Sequence, residues 1–162
     1  MRATKRVALF AAPLLTFAIV TTSSPVAAGS CWTYKGTEKK MARKINWARN
    51  HRGLARVSLD RHLSRVARVH TNAMINTRTL FHTHDLGRKV TRWNRLGENV
   101  GYGGSVKGLH RAFMRSSGHR ANILGRFRHI GVATRRAGGH MWTTVVFEHY
   151  RNPGTRLSMP RC

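Results

Sequence analysis

Carboxylates are what this chain has least of. Five Asp and Glu stand against 30 Lys and Arg in 162 residues, for a formal net charge of +25. A surface of that sign attracts polyanions over a Debye length of about 8–10 Å. Cysteine is almost as scarce, with only Cys31 and Cys162. An even pair in an exported chain is expected to form a disulfide. Closing so long a loop contributes about 4–5 kcal/mol in the chain-entropy model, and it leaves no thiol for catalysis or zinc. Long apolar runs are missing too. The longest, Val7 to Val20, covers 14 residues, short of the roughly 18–20 that span a bilayer. No G-x-S-x-G elbow, G-x-x-x-x-G-K phosphate loop or H-E-x-x-H pair occurs, which removes three common catalytic and nucleotide-binding signatures. Gly101-Tyr102-Gly103-Gly104 has no leading strand and reads as a turn.

The short apolar run has the marks of an export signal. Arg2, Lys5 and Arg6 precede it, and Val26-Ala27-Ala28 supplies a small-residue cleavage site. Residues 1–28 are therefore expected to be a cleaved signal peptide. The remaining 134 residues carry a net charge of +22. Residues 29–36 read as an N-terminal arm, 37–150 as one domain, and 151–162 as a C-terminal tail tied to Cys31 through Cys162. No repeats or long low-complexity linkers interrupt this.

Helical spacing of Met41, Ile45 and Ala48 predicts a first helix, capped at Thr37 and stopped by Gly53. Leu63, Val66, Ala67, His70 and Met74 predict a second over about 59–77, with His70 as a core histidine. Residues 80–104 read mainly as loop. Ser105 caps a third helix with Val106, Leu109 and Phe113 inward, and Ser116 or Ser117 caps a short turn through Leu124. Residues 129–135 and 140–149 read as a hairpin about Arg136-Ala137-Gly138-Gly139. The second of these strands is apolar on both faces, so it is expected to be central, with helices on both sides.

Three polar residues stand beside conformationally demanding neighbours: His82 in Leu80-Phe81-His82-Thr83-His84, Glu98 in Gly97-Glu98-Asn99-Val100-Gly101, and His119 in Ser117-Gly118-His119-Arg120-Ala121-Asn122. Two imidazoles and one carboxylate can present three ligands to a divalent cation such as zinc, with water in the open position. Alternatively, the carboxylate can orient a histidine as general base. Spacing alone decides neither. His82-Thr83-His84 as a local metal clip is the weaker arrangement.

In order along the chain, these segments resemble the CAP superfamily of cysteine-rich secretory, antigen 5 and pathogenesis-related 1 proteins, including its bacterial SCP-domain branch. The resemblance rests on Ile45-Asn46-x-Ala48-Arg49, His51-Arg52-Gly53-Leu54, Leu80-Phe81-His82, Gly97-Glu98-Asn99-Val100-Gly101, and Ser116-Ser117-Gly118-His119-Arg120-Ala121-Asn122-Ile123-Leu124. It implies an α+β fold: a three-layer α–β–α sandwich around a mainly antiparallel sheet. It also implies a cleft of two His and two Glu that holds zinc in some members. His82, Glu98 and His119 match three of these positions. The second Glu has no counterpart here, and Ser116 is the polar residue nearest its place. Glu148, in the last expected strand, is the only other acid nearby and is assigned no role.

The function expected from this is a secreted or extracellular, cell-wall-associated binding module for a cell-envelope or extracellular ligand, a lipid or a polymer that could be anionic, with a divalent metal at His82, Glu98 and His119. Two alternatives stand beside it: a metal-dependent hydrolase or protease using the same three residues, and a cationic polyanion-binding or antimicrobial protein. No specific nucleic-acid partner is expected, since no reader motif occurs.

Overall fold

The computed structural model describes residues 32–160. The expected signal peptide and the Cys31–Cys162 bridge lie outside these residues. Among the described residues no helix is long and apolar enough to cross a membrane.

Helix α1 (Gly36–Asn50) buries Met41, Ala42, Ile45 and Ala48, the stripe its period dictates. Its start differs from expectation. Lys35, not Thr37, is the N-cap residue, and the Glu38 carboxylate reaches back to accept the Lys35 N–H at 2.9 Å. The Thr37 hydroxyl is instead bonded to that of Thr134. The chain then forms a two-residue strand, β1 (Ser58–Leu59), before helix α2 (Arg61–Thr77). Leu59 is thus strand rather than helix. Asp60 supplies the cap, its side chain accepting the Leu63 N–H at 2.9 Å.

Residues 80–104 hold more structure than expected. A short helix α3 (Leu86–Lys89) and strand β2 (Val90–Thr91) precede an eight-residue strand, β3 (Leu96–Gly103). Gly101 and Gly103 therefore lie in a strand, not a turn. The alternation that marks a strand is broken here by glycine and by buried polar side chains. Helix α4 (Val106–Arg115) starts at Ser105, whose hydroxyl accepts the Gly108 N–H, and buries Val106, Leu109 and Phe113. Helix α5 (Ser117–Leu124) follows with Ser116 as N-cap, but that hydroxyl makes no capping hydrogen bond.

Strands β4 (His129–Ala137) and β5 (His140–Glu148) form the hairpin; β4 runs two residues further into the turn than expected, and β5 starts where expected and ends one residue earlier. Gly138 and Gly139, at φ +56° and +77°, make a two-residue loop of the kind that matches strand twist. The four-stranded sheet runs β1-β4-β5-β3, parallel only between β1 and β4. β5 is interior, as its two apolar faces require. Met141, Val145 and Phe147 pack with α1, α4 and α5, while Val146 packs with Leu63, Val66 and Ala67 of α2. The result is the α–β–α sandwich. Strand β6 (Gly154–Thr155) pairs with β2, so part of the expected tail returns to the domain.

Candidate functional site

The sheet order leaves β3 with a free edge, and the sequence-predicted residues collect along it. Glu98 is on β3, His82 on the segment after α2, and His119 in α5. The segment after α2 is held by His70, a buried core histidine whose Nε2 meets the Phe81 carbonyl at 2.7 Å. Helix α5 is held by amides. Asn99 donates to the His119 carbonyl at 3.0 Å, and Asn122 donates to the Glu98 carbonyl and the Asn99 side-chain oxygen. Asn122 comes this close only because residue 97 is glycine: a Cβ there would lie 2.7 Å from its Oδ1.

Glu98 is buried and heavily bonded. Oε2 accepts the Thr83 N–H and faces His82 Nδ1, each at 2.8 Å, while Oε1 accepts the Thr83 hydroxyl at 2.5 Å. An ionised carboxylate only accepts, so Nδ1 carries the proton and Nε2 of His82 presents a lone pair. The His82 side chain is 63% exposed, so its ring is reachable from the open side of the cleft. His119 packs against Phe113 at a centroid distance of 4.9 Å. Burial holds its pKa below the ordinary histidine value, and the nearby His82 lowers it further.

Of the four expected side chains, His82 and Glu98 meet directly, and His119 lies near enough to feel the His82 charge. Ser116 makes no side-chain hydrogen bond to them, and His84 turns toward Phe81. Thr83 is the residue that sequence reasoning missed, since a threonine beside a histidine carries no signal of its own. As a cation site the cleft is incomplete: among the described residues no three His, Cys, Asp or Glu are arranged to hold a metal. Glu98 is committed to Thr83 and His82. The donor set fits a cation only as two imidazoles with a carboxylate behind one of them.

Glu148 is fully buried, and neither side-chain oxygen has a hydrogen-bond partner. Burial raises its pKa above the ordinary glutamate value. The charge of Asp60 adds to this, opposed by the Tyr150 backbone and Arg128. A raised carboxyl pKa means the folded state holds its proton longer, so stability falls as pH rises from the unfolded pKa through the folded one. Glu148→Gln is expected to raise stability at neutral pH by about 1–3 kcal/mol. In urea titrations the gain should vanish below about pH 4, where Glu148 is protonated in both states. A gain independent of pH would mean the carboxylate is not the cause.

The model of the cysteine-rich secretory protein family, CAP, matches residues 42–148. Among solved structures, an outer surface protein of Borrelia burgdorferi is similar at TM-score 0.67 and 18% identity, over 76% of this chain and 99% of that one. An extracellular protein of Bacillus anthracis containing an SCP domain is similar at TM-score 0.59 and 20% identity, over 70% of this chain and 40% of that one. The protein NaASP2, in a structure determined with Zn2+, is similar at TM-score 0.55 and 12% identity, over 76% of this chain and 82% of that one. At these identities the likeness is one of fold. No curated protein sequence matches the chain.

Proposed function

From the premise that the chain belongs to the cysteine-rich secretory protein family, CAP, we propose that it is an exported binding module whose cleft at the β3 edge receives an anionic ligand of the cell envelope. The observation that carries this is the state of Glu98. Three of its roughly four accepting positions are taken by Thr83 and His82. Hydrolysis at this site needs a carboxylate free to take a proton from water, and the family's second Glu has no counterpart here. Binding through a bound cation needs only ring nitrogens with free lone pairs, which His82 Nε2 and the His119 ring can supply. Secretion and envelope association rest on the leader-like N-terminus and the excess of Arg and Lys.

A divalent cation is part of this proposal. His82 Nε2 and the His119 ring would hold it, and one zinc-bearing structure among the similar folds supports looking for it. When bound there, a cation supplies open coordination positions for a ligand oxygen. The protein's own contribution is to fix the His82 tautomer through Glu98 and to fix α5 through Asn99 and Asn122.

Zinc titrated into metal-free protein is expected to bind once and saturably. His82→Ala and His119→Ala should each abolish that binding. Glu98→Gln should weaken it only about 10–100-fold, as loss of an outer partner does. Binding indifferent to both His82 and His119 would remove the cation from the proposal. Complete loss in Glu98→Gln would make Glu98 a ligand instead.

A further inference from the structure

A second concavity lies at the other end of α5 from His119. It has a volume of about 590 Å³ and opens between the C-terminal end of α1 with residues 54–56 on one side and residues 124–129 with the end of β5 on the other. Its charged lining is of one sign: Arg49, Arg56, Arg126, Arg128 and Arg151. An adjoining cavity of about 350 Å³ shares Arg126 and adds Arg95. No lysine lines either, although the chain has seven.

The acids that might neutralise these groups are engaged or distant. Glu38 pairs with Arg68, and Glu98 is bonded to His82 and Thr83. Asp60 caps α2, and Glu148 is sealed in the core. Asp85 opens α3 and lines neither cavity.

Two groups distinguish the larger cavity from a merely basic surface. Arg49 is 3% exposed, and its Nε and Nη1 are fixed by the carbonyls of Ala55, Ile123 and Gly125 at 2.7–2.9 Å. It is therefore a positioned cation at the back of the site. His149 lines both cavities, and its Nδ1 is buried without a partner.

We propose that this cavity binds a phosphate ester. Planar guanidinium forks match the paired oxygens of phosphate, which a compact ammonium does not, and several of them together favour a multiply charged anion. The space exceeds what a phosphate group needs. Leu54, Leu124 and Phe127 supply an apolar wall, which suits an ester carrying an apolar or ring-shaped body. None of the His82, Glu98 or His119 side chains lines this cavity, so the site stands apart from the cleft.

The test is calorimetry with inorganic pyrophosphate as probe, at about 0.05 and 0.15 M salt. Arg56, Arg126 and Arg128 are exposed, so replacing all three with Gln should leave folding intact. A charge-matched control replaces Lys39, Lys40 and Arg43, exposed on α1, with Gln. The expected result is one saturable equivalent, weakened at least about tenfold in the cavity variant and less than about twofold in the control. Equal weakening in both variants, or unsaturable binding by the unmodified protein, would show a diffuse charge effect and overturn the proposal. No binding would overturn it as well. Neutral-lipid vesicles carrying phosphatidic acid identify the source. If they also lose binding only in the cavity variant, the phosphate is a lipid headgroup; if only pyrophosphate does, it belongs to a soluble ester.

Discussion

Gly131→Ala is expected to destabilise the domain by at least about 3 kcal/mol, which for its size lowers the melting temperature by roughly 10 °C or more. The cause is distance. A Cβ on residue 131 would lie 2.1 Å from the Leu63 carbonyl carbon and 2.4 Å from both the Leu63 oxygen and the Ser64 nitrogen. All three are backbone atoms of α2, so no side-chain rotation relieves the overlap. The helix rests directly on the strand at this point, and the Ser64 hydroxyl accepts the Val132 N–H at 3.0 Å. An added methyl must push α2 off the sheet. That movement separates Leu63, Val66 and Ala67 from Val146, and midway along the helix it disturbs the His70 link to Phe81, beside His82. Gly118→Ala is the matched control. It lies within α5, no atom is within 4 Å of the added carbon, and its effect should stay within about 0.5 kcal/mol. Thermal melts of the two variants decide the matter. Equal, small shifts would mean that α2 and β4 are not in backbone contact.

The same contact shows which parts of the fold were legible in the sequence. The 3.6-residue period of α1 and α2 is written in Met41, Ile45, Leu63, Val66 and Met74. The interior position of β5 follows from its apolar residues on both faces. Strand β3 could not be read this way. Gly97, Gly101 and Gly103 have no side chain to show a pattern, and Glu98 and Asn99 are buried polar groups satisfied by His82, Thr83, Asn122 and His119, residues distant in sequence. A polar side chain that is buried because of partners 15 to 23 residues away looks, in sequence, like a loop residue. Strands β1, β2 and β6 are two residues each, below any period. The candidate site was legible in its two imidazoles and one carboxylate. The division of labour among them was not, because it depends on which oxygens of Glu98 are already bonded.

Arg68→Ala is expected to cost about 3–5 kcal/mol, because it leaves Glu38 charged and alone in the interior. Glu38 is fully buried. Its two oxygens accept from Arg68 Nε and Nη2 at 3.1 and 2.7 Å, and one also accepts the Lys35 N–H. Arg68 does more than neutralise. Its guanidinium lies 3.9 Å from the Trp32 ring centroid and donates to the Thr33 carbonyl at 2.6 Å, so it clasps residues 32–35 and the start of α1 onto α2. Arg68 is a quarter exposed, which places the expected cost toward the lower end of the range through solvent screening. Arg68→Lys keeps the charge but loses the two-pronged geometry, and about half the cost should remain. The double variant Glu38→Leu with Arg68→Leu removes the buried charge along with its partner, so it should be more stable than Arg68→Ala despite carrying two changes. Urea titrations of the three variants test this ordering. A double variant no better than Arg68→Ala would assign the loss to the clasp on Trp32 and Thr33 rather than to the stranded carboxylate.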